Sequence, residues 1–141
     1  MVRSLRETHY LCEYEFMFIN MPLFFYGLVI WAVATFALRV FGQHILRPGN
    51  PLSIVVLFGV SLPLMALVVR RLCRVARLPR DQWIVGAVSV ALPTLILDPF
   101  SSAFFSGMYP NMEAQAAGLF GGWILWCCCG AMLGGMIRTG K

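Results

Sequence analysis

Ionisable residues are scarce in this chain. Asp, Glu, Lys and Arg make up 12% of its 141 residues and histidine only two more, whereas 60% are hydrophobic. That balance excludes an ordinary soluble domain, in which about a quarter of the residues are charged. Catalytic patterns are missing too: there is no Gly-x-Ser-x-Gly, His-Glu-x-x-His or phosphate-loop signature, and no paired carboxylates spaced for acid–base work. The reading is therefore of a protein that is not an enzyme. His9 and His44 fall on opposite sides of the predicted membrane without metal-ligand spacing. Cys127, Cys128 and Cys129 are adjacent, so on a helix their side chains diverge by ~100° per residue and do not converge on one ion. No metal and no cofactor is expected. Cys12 and Cys73 are placed on the reducing side and no cysteine on the outer side, which excludes a disulfide framework. Before Met21 no uninterrupted apolar core of signal-peptide type occurs.

What is present is apolar sequence in long runs. Four of them reach helix length: from Pro22, from Pro51, from Trp83 and from Leu119. The expected fold is all-α, an integral membrane bundle of four transmembrane helices. Residues 1–20 form a cytoplasmic segment, and 21–141 the membrane domain, with spans at about 22–46, 51–72, 79–108 and 112–137.

The net charge of +5 raises the question of a nucleic-acid partner, and the placement of the cations answers it. Arg3 and Arg6, then Arg70, Arg71, Arg74, Arg77 and Arg80, then Arg138 and Lys141 share one side of a four-span bundle; only Arg39 and Arg47 lie elsewhere. The positive-inside rule makes that side cytoplasmic and puts both termini there. The five arginines from 70 to 80 are expected to anchor the inner ends on anionic lipid, at ~1 kcal/mol for each cation near the surface. Membrane lipids are thus the expected partner, and nucleic acid is not.

The third span carries Asp98 at membrane depth. Proline disfavours helical dihedrals in the residue before it and suits a first helical position. Asp98-Pro99 therefore predicts a third helix broken or kinked there, with Asp98 as the N-cap of a second piece running to Met108. Arg39 lies 17 residues past Pro22, and Asp98 15 past Trp83, so at ~1.5 Å per residue the two opposite charges fall at similar depth. Gln43 shares a helix face with Arg39, and Ser101 and Ser102 follow Asp98 by one turn. The buried polar site expected from sequence is Arg39, Gln43, Asp98, Ser101 and Ser102. It reads either as an ion pair that fixes helix register or as a polar pocket open to the outer side.

The remaining signals concern packing. Pro63 is expected to kink the second span, and Asn111 to cap the fourth. Within the fourth run, Gly118 and Gly122, then Gly130 and Gly134, recur at four residues and share a face, as in helices that approach closely in lipid.

The phrases VIWAVATFALRVFGQ, LILDPFSSAFF and YPNMEAQAAGLFGGW resemble a bacterial family of small multi-pass membrane proteins known only as domain of unknown function 5367. The likeness runs from Leu23 to Gly135 and rests on hydropathy with the marks Arg39, Gly42, Gln43, Asp98, Pro110 and Asn111. It implies the four-span architecture in a bacterial inner membrane and supplies no activity. The function expected is helix association in the membrane, with a second copy or another membrane protein as partner. The alternative is a small transporter or channel built on Arg39 and Asp98.

Overall fold

A computed structural model describes residues 19–137. The expectations for the amino-terminal segment, and for Arg138 and Lys141, lie outside the described residues.

Among the described residues four helices are long and apolar enough to cross a membrane. Helix α1, Met21–Ile45, starts where Asn20 Oδ1 accepts from the Leu23 amide at 3.2 Å, and Pro22 occupies its first turn. Helix α2, Pro51–Val75, repeats the device: Asn50 accepts from the Ser53 amide at 3.2 Å and Pro51 opens the helix. An asparagine cap satisfies an amide that has no intrahelical partner, and proline at the start has none to satisfy. At 25 residues each, these helices extend ~37 Å, enough for a hydrocarbon core of ~30 Å. Helix α2 runs on through Pro63. It ends with Arg77 in the left-handed region (φ 53°), where the Leu78 amide reaches back to the Cys73 carbonyl at 3.0 Å.

A 3-10 turn, Arg80–Gln82, leads into helix α3, Trp83–Ala103. Contrary to the sequence expectation, α3 passes through Asp98-Pro99 without a break, and Asp98 caps nothing; the interruption falls at Phe104, before the single turn α4, Phe105–Met108. Membrane helices tolerate interior proline because neighbouring groups make up for the lost bond, and α3 holds both Pro93 and Pro99. Helix α5, Ala116–Met136, begins four residues later than expected. Turns close first, from the Met112 amide to the Tyr109 carbonyl and from the Ala116 amide to the Glu113 carbonyl. Asn111 is consequently no cap.

Helix α1 packs on α3, α3 on α5 and α5 on α2, while α1 and α2 scarcely touch. The tight seams are glycine seams. A Cβ at Gly130 would stand 2.5 Å from the Leu62 carbonyl oxygen, and one at Gly134 2.5 Å from that of Ala66; one at Gly27 would overlap the Val90 carbonyl. The packing role expected of Gly130 and Gly134 thus joins α5 to α2 of the same chain. Gly118 and Gly122 face open space instead.

The apolar core has two parts. One surrounds Leu23, Val69, Cys73, Trp83 and Ala87 near the arginine-rich end. The other gathers Leu38, Leu46, Phe105, Tyr109, Met112 and Phe120 near the opposite end.

Candidate functional site

Between the two cores lies a level of polar side chains. Asp98 is 6% exposed, and its Oδ1 accepts from Trp31 Nε1 at 2.8 Å across the α1–α3 seam. Among the described residues its second oxygen, Oδ2, has no hydrogen-bond partner, and neither has the Tyr109 hydroxyl or the Trp123 indole N–H, although all three atoms are buried. An unmet buried polar group costs ~1–3 kcal/mol, and more when it is charged. Three of them border one cavity.

That cavity, a chamber of about 120 Å³, takes side chains from all four spans and from Tyr109. Helical spacing explains the convergence. Trp31, Thr35 and Leu38 share one face of α1; Thr94 and Asp98 share one face of α3; Phe120, Trp123, Ile124 and Cys127 share one face of α5. Tyr109, fully buried, closes the chamber from the α4–α5 connection, its ring centroid 5.2 Å from that of Phe105 and 5.2 Å from that of Phe120. Burial, above all, raises the Tyr109 phenol above its ordinary pKa, so the hydroxyl keeps its proton; Thr35 and Ser101 flank it without reaching hydrogen-bond geometry.

Two further cavities adjoin this level. A groove of about 200 Å³ between α3 and α5 shares Thr94, Asp98 and Ile124 with the chamber and adds Ser102 and Gly121. One carboxylate therefore borders both spaces. At the end opposite the arginines, a polar cleft of about 620 Å³ is lined by Gln43, Arg47, Asn50, Asn111, Glu113 and Gln115. The second apolar core separates cleft from chamber: its Leu46 and Met112 line the first, and its Leu38, Tyr109 and Phe120 the second.

Arg39 does not meet Asp98. It is exposed, and its Nη1 donates to the Met108 carbonyl at 3.4 Å. Gln43, one turn on, is also exposed and lies beside His44. The equal-depth reckoning set Trp83 level with Pro22, whereas the Asn20 amide actually bonds to Ser89 Oγ at 2.9 Å and Trp31 to Asp98. Helix α3 is offset by roughly six to eight residues, or ~9–12 Å, which puts Asp98 beside Trp31 and well below Arg39. Of the five residues expected at the site, Asp98 lines the chamber, Asp98 and Ser102 line the groove, Gln43 lines the cleft, and Ser101 is buried with its hydroxyl turned to the Leu97 carbonyl at 3.3 Å.

The residues that sequence reasoning missed are Trp31, Tyr109 and Trp123. A signal for them existed, since an indole N–H placed mid-span requires an acceptor.

At the opposite end, Arg80 lies over the Trp83 ring at 4.5 Å and Arg70 at 5.8 Å, with Arg70 also donating to the Ile137 carbonyl at 3.4 Å. These two arginines are tied into the fold; Arg71, Arg74 and Arg77 are exposed. The three neighbouring cysteines enter three environments, Cys127 half-buried, Cys128 buried and Cys129 exposed.

Fold and site together define a four-helix membrane protein with a small, largely apolar cavity between its helices, bordered by one buried carboxylate. The chain belongs to a family of unknown function, DUF5367, whose profile matches residues 45–141. The match takes in α2 to α5, and so Asp98, Tyr109 and Trp123, and leaves out α1 with Trp31 and Arg39. No curated protein and no solved structure matches the chain.

Proposed function

We propose that this protein is a non-enzymatic small transporter or channel that works through the Asp98 chamber. It sits in a bacterial inner membrane with both termini cytoplasmic. The observation that carries the reading is Asp98 Oδ2, a buried carboxylate oxygen without a partner at the boundary between two cavities. Ionisable groups at membrane depth are costly and mark solute or ion pathways unless they are paired. The orientation is supported by the cations, which among the described residues crowd the α2–α3 turn, with only Arg39 and Arg47 at the other end. The test is flux. Purified protein reconstituted in liposomes on a solid support, and offered a panel of inorganic and organic ions, is expected to give charge movement that Asp98→Asn abolishes. No current with any ion, or equal current in the variant, overturns the reading.

A second reading, association with another copy or another membrane protein, is favoured by the open face at Gly118 and Gly122. Crosslinking in native membranes is expected to capture a partner that Gly118→Leu with Gly122→Leu releases. Recovery of monomer alone sinks it.

A further inference from the structure

We infer that the polar cleft at the end opposite the arginine-rich turn binds a phosphozwitterion, a phosphodiester and a primary ammonium joined by a short link. The inference goes beyond the transport proposal and uses no part of the Asp98 chamber. At about 620 Å³ the cleft has the size of a ligand site, and its open wall is more polar than apolar. Its two charged side chains, Arg47 and Glu113, are of opposite sign and both are exposed. They do not pair with each other, because each is held by its own segment. Arg47 folds back on the end of α1, its Nε donating to the Gln43 carbonyl at 3.3 Å and its Nη2 lying 3.2 Å from His44 Nδ1, which leaves Nη1 without a partner among the described residues. Glu113 stands in the turns before α5, where its carbonyl accepts from the Ala116 amide at 2.9 Å, and its carboxylate has no partner among the described residues. The two segments are fixed against each other: a Cβ at Gly42 would overlap Met112 Sδ, so the loop that carries Glu113 is packed on the last turns of α1. The amides of Gln43, Asn50 and Gln115 complete the polar wall, each able to donate to an anion or accept from an ammonium. Asn111 lines the cleft too, but both its side-chain polar atoms are covered, so it makes no contact here. A simple anion would have to lie beside Glu113 and a simple cation beside Arg47; a zwitterion satisfies both. Depth selects the kind. Large apolar side chains stay exposed along α1 as far as Phe41 and resume on α2 at Leu52, and the cleft residues of this turn fall between them. The cleft therefore opens where hydrocarbon gives way to headgroups, a level reached both by phospholipid heads and by their water-soluble glycerol phosphodiesters.

Glycerophosphoethanolamine is the probe, and glycerophosphoglycerol, which keeps the phosphodiester and has hydroxyls in place of the ammonium, is the control. Both are titrated against the unmutated protein in nanodiscs of phosphatidylglycerol, and the phosphorus NMR line of the soluble compound reads the bound fraction. Glycerophosphoethanolamine is expected to bind saturably, and the control at least about fivefold more weakly. Glu113→Gln is expected to lower probe affinity about fivefold and to erase the preference over the control, while Arg47→Gln weakens both compounds by a similar factor. Discs that contain phosphatidylethanolamine separate the two sources. Displacement of the soluble probe makes the ligand the lipid headgroup, and an unchanged affinity makes it the dissolved phosphodiester. Absence of saturable binding, equal binding of probe and control, or an undiminished preference in Glu113→Gln overturns the inference. Comparison of probe and control needs no variant, so a misfolded mutant does not spare it. Cleft and chamber share no lining residue, and the two proposals fail separately. Saturable probe binding without flux in liposomes overturns transport and keeps the ligand; flux that Asp98→Asn abolishes, without probe binding, overturns the ligand and keeps transport.

Discussion

The two ends of the bundle treat their buried polar groups in opposite ways. Near the arginines, each such group has a partner: Trp83 Nε1 donates to the Leu78 carbonyl at 3.0 Å, Ser89 Oγ to the Val85 carbonyl at 2.7 Å, and Ser89 Oγ in turn accepts from the Asn20 amide. Towards the other end Ser101 Oγ and Asp98 Oδ1 are bonded, but Asp98 Oδ2, the Tyr109 hydroxyl, both polar atoms of the Asn111 side chain and Trp123 Nε1 are buried without a partner among the described residues. Folded proteins leave few buried polar atoms unmet, and where several gather the local rules have been broken for a reason other than stability. One end of this molecule meets the needs of its buried polar groups, and the other leaves several of them unmet.

Substitutions can press on that contrast. The largest effect is expected from Trp83→Ala, which removes a buried ring, its hydrogen bond and the surface under Arg70 and Arg80. Thermal unfolding in detergent should show a loss of about 3–5 kcal/mol. Asp98→Asn is expected to act in the opposite sense on stability. It keeps an acceptor for Trp31 and replaces a buried acid by a group that never ionises, so the protein should gain about 1–2 kcal/mol while losing flux; a destabilised variant would mean that the carboxyl group serves the fold. Ser89→Ala takes the partner from the Asn20 amide and should cost about 1 kcal/mol by the same unfolding measurement. Smallest is Tyr109→Phe, which deletes a hydroxyl that has no bond to lose and keeps the stacked ring. It should fall within about 0.5 kcal/mol of the parent, and a cost comparable to that of Ser89→Ala would erase the distinction between the two ends.

Much of the fold was legible because it follows from local chemistry. Pro22, Pro51 and apolar length placed the starts of α1 and α2, and the four-residue glycine spacing marked a close-packing face at Gly130 and Gly134 without saying that α2 meets it. The candidate site was only partly legible. Depth counted along a helix fixes neither how far a neighbouring helix slides nor which way a side chain turns, and the ~9–12 Å offset of α3 was enough to exchange Arg39 for Trp31 as the partner of Asp98. Gly118 and Gly122 show the same limit: they repeat the spacing of Gly130 and Gly134, yet nothing lies against them. Spacing announces a face without saying what meets it. The start of α5 was misplaced because Asn111 has the composition of a cap, while the turns around Tyr109 and Glu113 postpone the helix to Ala116.

The mutually tilted, closely packed rings of Phe105, Tyr109 and Phe120 stand between the polar cleft and the chamber. Nothing dissolved in the cleft reaches Asp98 by diffusion alone along that route; the rings have to part first. Were the proposed transport to use that route, it would be paced by how often a well-packed aromatic stopper loosens, a matter of microseconds to milliseconds for concerted rearrangements, and the temperature dependence of transit would carry the imprint of that plug more than of the solute's own mobility in water.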